Sequence, residues 1–230
     1  MFQLRRALFT SLAIAVLSLC AAQTSSADTV VFDNGAPNGI DGRNIGGPFY
    51  TAEDFTLTSA QSLTSVRFWG LRQTTLPGAF TGQIYWEFRA NAAGAPGAVL
   101  TSGLSPATEA FRAPSVVPGN SSYQYDFSVG SVNLSAGTYW LVLHNGPFGT
   151  TTTGNLFWET TAPNATSSAY QRNGTITPFI ITTPPANHLA FQINAADGAP
   201  IPEPTTLVML GMGLAGVAGA VRRHRKAHKG

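Results

Sequence analysis

The sequence predicts an all-β domain, a two-sheet sandwich of jelly-roll type, between two terminal targeting segments. The clearest observation is a period of two in residues 123–129, where aromatic and other apolar residues occupy every second position. Similar alternation occurs in residues 84–89 and 189–194. Clusters of Gly, Pro and Asn separate these stretches, and no stretch sustains the 3.6-residue period of an amphipathic helix. Many short strands joined by such turns favour a sandwich.

The first 27 residues have the composition of a secretory signal peptide. Arg5 and Arg6 precede an apolar core, and Ser25-Ser26-Ala27 offers small residues where a signal peptidase cleaves. We therefore predict that residues 1–27 are a signal peptide and that the chain is exported. The only cysteine, Cys20, lies in this segment, so the exported domain has neither a disulfide nor a thiolate.

Residues 28–201 form the predicted β-sandwich domain, and their number is sufficient for one sizeable core. They contain ten acidic residues and six arginines but no lysine, which gives a net charge of −4. This charge argues against a nucleic-acid partner, because phosphate binding requires clustered Lys or Arg. Beyond the alternating stretches, further strands are expected at residues 29–32, 52–57, 63–69, 138–144 and 155–159.

Residues 202–230 combine a helix breaker, an apolar segment and a basic stop. Pro202, Glu203 and Pro204 lead into residues 205–221, which carry no charge. As a helix this segment would span roughly 25 Å, the lower limit for crossing a membrane. The basic stop consists of Arg222, Arg223, Arg225 and Lys226. Because basic clusters stay on the cytoplasmic side, we predict a transmembrane helix that leaves the preceding domain outside.

In this order, the proline motif, the glycine-rich apolar segment and the basic stop resemble the PEP-CTERM sorting domain of Gram-negative bacteria. The resemblance implies recognition by a membrane-embedded exosortase and cleavage near the proline motif. It also implies an inner-membrane-anchored precursor and export alongside exopolysaccharide systems, to the envelope, the outer surface or the extracellular matrix. Residues 31–35, 52–57, 66–70, 97–100 and 136–141 also resemble exported domains joined to this signal, which implies a β-sandwich without an assigned activity.

An oxygen-rich stretch near the start of the domain is the best candidate for a metal site. Asp33, Asn34 and Asp41 lie in a predicted loop with several Asn-Gly and Asp-Gly pairs, and Glu53 and Asp54 follow in the next predicted strand. Loops of this composition supply the six to eight oxygens that Ca²⁺ takes. The alternative is that the same residues only form turns. No other cofactor is predicted.

Two of the four tryptophans are candidates for sugar binding, because an exposed indole face can stack on a sugar ring. Trp69 is out of phase with the apolar residue Phe68, and Trp140 is out of phase with Leu141. Neighbouring side chains of a strand point to opposite faces, so one of each pair must point outward. Trp69 and Trp140 are therefore the sugar-binding candidates. Trp86 shares its face with two apolar residues and is expected in the core.

The sequence does not favour an enzyme. A hydrolase requires paired carboxylates or a nucleophile with an oriented base, and adjacent Glu53 and Asp54 should point to opposite faces of a strand. His144 and His188 each lie at a strand end without metal-ligand spacing, so edge roles are expected. We therefore predict a non-catalytic structural or adhesive protein of the surface or biofilm matrix. The alternatives are a carbohydrate-binding module for exopolysaccharide and a glycan-active enzyme.

Overall fold

Twelve antiparallel strands account for the regular structure of the residues that the structure describes. The computed structural model describes residues 28–73, 80–152, 156–161, 169–175, 178–181 and 188–196. The strands in chain order are β1 (Thr29–Asp33), β2 (Pro37–Asn44), β3 (Phe49–Leu57), β4 (Gln61–Gln73), β5 (Gln83–Ala92), β6 (Ala95–Pro114), β7 (Asn120–Leu134), β8 (Gly137–Asn145), β9 (Leu156–Thr161), β10 (Tyr170–Asn173), β11 (Ile180–Ile181) and β12 (Phe191–Ala195). These ranges contain no helix, so the all-β prediction is confirmed.

Each stretch predicted as a strand overlaps an observed one, but four strands were not predicted. The second part of the oxygen-rich segment predicted as a loop, from Pro37 onward, is strand β2, which pairs with β9. Gly42 explains how such a sequence joins a sheet, because a Cβ at this position would lie 2.8 Å from Cβ of Phe157. The missing side chain therefore lets the two backbones approach closely. Strands β6, β10 and β11 were also missed.

The strands form one hydrogen-bonded path that folds back on itself at β6. Its order is β1-β12-β4-β7-β6-β5-β8-β3-β10-β11, and β9 joins β2 to β4. Strand β6 pairs with β5 over residues 95–106 and with β7 over residues 107–114. One 20-residue strand thus belongs to both halves of the sheet. A large antiparallel sheet is thus the part of the predicted architecture that the structure shows.

A single large apolar core lies between the two halves of the sheet. Phe55 of β3 and Phe88 of β5 come from one half, and Phe68 of β4 and Phe191 of β12 come from the other. All four are at most 1% exposed, and the Phe55 and Phe191 rings lie 6.5 Å apart. The alternating residues of β5, β7 and β12 point into this core, as their period of two predicts.

Gly103 of β6 shows how tightly this core is filled at the strand that both halves share. A Cβ at this position would lie 2.6 Å from Cζ2 of Trp86, which is 5% exposed. The core prediction for Trp86 is therefore confirmed, and its Nε1 donates a hydrogen bond of 3.0 Å to Oγ of Ser105.

The terminal targeting segments are outside the described residues. Residues 28–196 form one compact unit. The predicted signal peptide of residues 1–27 and the predicted transmembrane helix of residues 205–221 precede and follow it and stay predictions. Within the described ranges, no helix is long and apolar enough to cross a membrane.

Candidate functional site

The described residue with the most unusual environment for its chemistry is Glu53, in the middle of β3. Alternation along this strand turns Phe55 and Leu57 into the main core, and Glu53 shares their face. The Glu53 side chain is fully buried. A carboxylate in such a place requires a partner, because burial of an unpaired charge is costly.

His188 is that partner, although 135 residues separate the two in sequence. Its Nδ1 lies 2.6 Å from Oε1 of Glu53, and the imidazole is 5% exposed. The backbone places it there because the His188 carbonyl accepts a hydrogen bond from Thr161 N of β9, just before β12 begins. Asn34 adds a second contact: its Nδ2 donates to Leu189 O at 2.9 Å and to Oε1 of Glu53 at 3.4 Å.

Asp54 completes a group of three side chains whose ligand atoms converge. One ligand atom each of Glu53, Asp54 and His188 lies within 4.8 Å of the others. The expectation that the adjacent carboxylates stay apart is therefore wrong for this pair.

The Glu53 carboxylate has a raised pKa and too few hydrogen-bond partners for a buried charge. Burial raises the pKa of Glu53 to about 7, although the hydrogen bond and charge of His188 oppose the shift and the charge of Asp54 adds to it. Oε2 of the same carboxylate is buried and has no hydrogen-bond partner within the described part of the chain. The arrangement can therefore accept a proton or a cation.

The carboxylates predicted to bind Ca²⁺, Asp33 and Asp41, accept hydrogen bonds from other groups of the domain. Asp33 accepts hydrogen bonds from Gly35 N at 2.8 Å and from Nε2 of Gln192 at 2.9 Å. Asp41 accepts from Gly42 N at 2.8 Å and lies 3.5 Å from Nη1 of Arg43. Among the described residues, neither belongs to a group of three His, Cys, Asp or Glu side chains that could share an ion. Of Asp33, Asn34 and Asp41, only Asn34 reaches the candidate site, as a donor to Glu53.

Both tryptophans predicted to bind sugar are buried. Trp140 is 2% exposed, packs edge-on against Tyr170 and donates through Nε1 to Oδ1 of Asn91 at 3.0 Å. Trp69 is 9% exposed. For Trp140 the reason is that the outer face of its half of the sheet is itself covered: Trp140, Tyr50, Ala52 and Val142 form a second, smaller apolar cluster there. Buried rings offer no free face to a sugar, so the structure argues against these two positions.

A buried ionic cluster, here called the Arg-Glu-Arg cluster, lies on the same outer face. Glu87 of β5 lies 3.1 Å from Nη2 of Arg172 and forms a second ion pair with Arg89. Tyr85 donates its hydroxyl hydrogen to Oε1 of Glu87 at 3.0 Å. Phe179 lies over both guanidinium groups, 4.8 Å and 5.2 Å from their central carbons. These contacts pair the only carboxylate in the cluster on both of its oxygens.

His144 is also buried, next to this cluster, rather than at an exposed strand edge. Its ring stacks on Tyr50 at 4.3 Å, and Nδ1 contacts Phe49 O at 2.9 Å. Burial lowers the pKa of His144, and the nearby charge of Arg172 contributes in the same direction. The neutral ring therefore has a structural role here.

One exposed aromatic ring lies beside a small depression rich in threonine. Phe148 is 50% exposed and packs edge-on against Tyr50 at 5.7 Å. The depression is lined by Pro48, Tyr50, Gly149, Thr150, Thr151, Gly174 and Thr175. An exposed ring beside several hydroxyl groups is an arrangement that suits a sugar.

The candidate site could not be found from sequence spacing. Glu53 lies in β3, in one half of the sheet, and His188 lies just before β12, in the other half. No local sequence motif joins them. The available signal was composition, since only two histidines lie between residues 28 and 201. Buried histidines in a domain of this kind point to a polar partner, but not to which one.

The comparison with known families concerns the C-terminal segment. Residues 200–226 match the profile of the PEP-CTERM protein-sorting motif. The match includes Pro202, Glu203 and Pro204 and extends to Lys226, so the predicted resemblance is confirmed over this segment. No curated protein matches the chain.

The chain is therefore a protein with a PEP-CTERM sorting motif. The motif implies export, a membrane-anchored sorting precursor of a Gram-negative bacterium and an exosortase-type processing enzyme as partner. It covers 27 residues and does not extend into the β domain, so the function of that domain has to be argued from its own structure.

Proposed function

We propose that this protein is a non-catalytic structural or adhesive component of the cell surface or extracellular matrix. The observation that carries the proposal is the joining of a β domain to a sorting motif at residues 200–226. We further propose that the domain is a two-sheet, jelly-roll-like sandwich, that residues 1–27 are its signal peptide and that residues 205–221 anchor the precursor as a transmembrane helix.

The pairing of buried polar groups supports a structural rather than a catalytic role. Glu159 accepts hydrogen bonds from Oγ of Ser122 at 2.7 Å and from Gly39 N, which joins β9, β7 and β2. The Arg-Glu-Arg cluster similarly fixes β5 to β10. Networks of this kind hold strands in register without presenting a reactive group to a substrate.

Processing of the C-terminus tests the sorting part of the proposal. Proline fixes φ and disfavours helix in the residue before it, so we expect Glu203 between Pro202 and Pro204 to suit binding by a processing enzyme that takes an extended segment. In an exosortase-positive host, the mature wild-type protein should lack residues 222–230, as measured by intact-protein mass. Glu203→Ala should leave export unchanged and cause the uncleaved form to accumulate in the inner membrane.

A matched control lies just beyond the motif. Lys229→Ala also removes one charge but falls outside residues 200–226, so its processing should equal that of the wild type. Normal processing of Glu203→Ala, or a wild-type protein that retains residues 222–230, would contradict exosortase sorting. Cells that carry Glu203→Ala should also lose surface attachment; unchanged attachment would contradict the structural or adhesive role.

Carbohydrate binding is the second candidate function, and Phe148 is the observation that favours it. The ring is exposed beside the threonine-rich depression, whereas Trp69 and Trp140 are buried. In a glycan array with the full chain, Phe148→Ala should abolish binding to exopolysaccharide fragments. Phe111→Ala is the matched control, since Phe111 is 63% exposed on β6 and does not line the depression. Absence of glycan binding by the wild type would eliminate this candidate.

A further inference from the structure

We propose that Glu53, Asp54 and His188 bind one divalent transition-metal ion, of the class to which Zn²⁺ belongs. Three donors converge from β3 and from the segment before β12, with their ligand atoms within 4.8 Å of one another. The site differs from the Ca²⁺ loop expected from the sequence in both its residues and its chemistry.

The donor set determines the class of ion. One imidazole nitrogen and two carboxylates suit Zn²⁺, Mn²⁺ or Fe²⁺, whereas Ca²⁺ and Mg²⁺ prefer oxygen ligands alone. Three protein ligands also leave one position of a tetrahedral zinc site for water. The chain has no cysteine after residue 20, so a thiolate site for the same ions is excluded in the domain.

The unpartnered oxygen of Glu53 is the independent observation that points to a ligand. Glu53 is fully buried, and within the described ranges its Oε2 has no hydrogen-bond partner. Nearly all buried polar atoms in proteins are paired, so an orphaned oxygen in a group of metal-ligand side chains indicates a missing partner. A cation coordinated by both oxygens of the Glu53 carboxylate would satisfy it.

The surrounding contacts hold the first ligand in the orientation that a metal requires. Asn34 donates through Nδ2 to Oε1 of Glu53 and to Leu189 O, which ties the carboxylate to the segment that carries His188. Asn34 is therefore a positioning residue and not a ligand, because it presents its amide nitrogen to the site. Such outer contacts fix ligand orientation in metal sites.

The space between the ligands requires only a small adjustment. Nδ1 of His188 and Oε1 of Glu53 lie 2.6 Å apart. Ligand atoms of a tetrahedral zinc site lie roughly 3.3 Å apart, given zinc-to-ligand distances of about 2.0 Å. The pair would therefore open by somewhat less than an ångström when the ion replaces their shared hydrogen.

The test is metal titration of the full-length chain, purified with a chelator and without a polyhistidine tag. Calorimetry with Zn²⁺ should show binding, and at about a hundredfold excess over Kd the melting temperature should rise by about 5–10 °C. Asp54→Asn should weaken this binding at least tenfold. Asp41→Asn, a carboxylate outside the group, should behave like the wild type. Ca²⁺ should produce no shift.

Asp54 is the preferred variant because it is only half-buried, so its substitution should preserve the fold; circular dichroism checks this. Glu53→Gln and His188→Gln, if folded, should show the same loss. Zinc held elsewhere, for example by His224 and His228 of the tail, would remain in Asp54→Asn. The proposal is overturned if the wild type shows no zinc binding, if Asp54→Asn binds zinc like the wild type, or if Ca²⁺ binds as strongly as Zn²⁺.

Discussion

Two buried glutamates, one on each face of the same half of the sheet, have opposite environments. Glu87 lies on the outer face, where Arg172, Arg89 and Tyr85 pair both of its oxygens. Glu53 lies on the inner face, with one oxygen shared by His188 and Asn34 and the other unpartnered within the described residues. Burial alone therefore does not define a site. The carboxylate of Glu87, paired through both oxygens, stabilises the fold, whereas that of Glu53, paired through one oxygen, is available to a ligand.

The largest effect is expected from Glu87→Gln. The substitution keeps the shape but leaves two buried arginines without a counter-ion, so the free energy of unfolding should fall by about 3–5 kcal/mol. Denaturant unfolding measures the change. If the loss is below about 1 kcal/mol, the Arg-Glu-Arg cluster does not hold the fold and the comparison fails.

Glu53→Gln should have a smaller effect in metal-free protein. Its amide can still contact His188, so the expected loss is about 1 kcal/mol, the value of one hydrogen bond. With Zn²⁺ at a hundredfold excess over Kd, the wild type alone gains about 2.7 kcal/mol, so the difference between the two proteins should increase accordingly. A difference that is the same with chelator and with zinc would place Glu53 in the same structural class as Glu87.

The stability of the protein as a function of pH tests the effect of the Arg-Glu-Arg cluster on the neighbouring His144. Because its pKa is lowered from 6.5, the folded protein takes up this proton less readily than the unfolded chain. The free energy of unfolding should therefore be retained above pH 6.5 and fall as the pH decreases below it. Arg172 and Tyr50 face the ring, so a proton there adds a cation next to a cation.

The reference for this titration is His144→Gln, which removes the titrating ring. Its loss of stability between pH 7 and pH 5 should be smaller than that of the wild type. Equal losses of stability in the two proteins would show that protonation of His144 does not destabilise the fold.

The smallest effect is expected at the surface pair of Arg67 and Asp126. Their side chains are 39% and 35% exposed, and the pair has a length of 2.7 Å. Asp126→Asn should change the free energy of unfolding by less than about 1 kcal/mol, because exposed ion pairs contribute little. A loss as large as that of Glu87→Gln would show that burial is not what separates these carboxylate–arginine pairs.

Local patterns predicted the fold class well, because a half-buried strand has a period of two. Residues 123–129 show this directly, since Tyr125, Phe127 and Val129 are buried and the polar positions between them are not. Strand β2 was missed because its Asn, Asp and Gly residues are typical of turns, and only its pairing with β9 makes it a strand. Strand β6 was missed because its side chains are mostly exposed.

The candidate site depends on tertiary structure and so was only partly predictable. Asn34, Glu53 and Asp54 were recognised as oxygen donors, but the metal prediction was placed on Asp33, Asn34 and Asp41. Asp33 and Asp41 instead accept hydrogen bonds from nearby backbone, and Asp33 also from Gln192 of β12. The missing information was the pairing of β12 with β4, which brings the segment carrying His188 over β3. The burial of Trp140 has a related reason: alternation identifies an outer face, but not that other residues cover it.

The position of β12 has a mechanical consequence for a protein that is attached through its C-terminus. Tension on the chain enters the domain at Ala195, the last residue of β12. Strand β12 is hydrogen-bonded to β1 on one side and to β4 on the other. A pull on this end must therefore rupture two ladders at once, whereas an edge strand would separate from one. Since rupture under force depends on the unfolding rate, we expect slow detachment under shear even where equilibrium stability is modest.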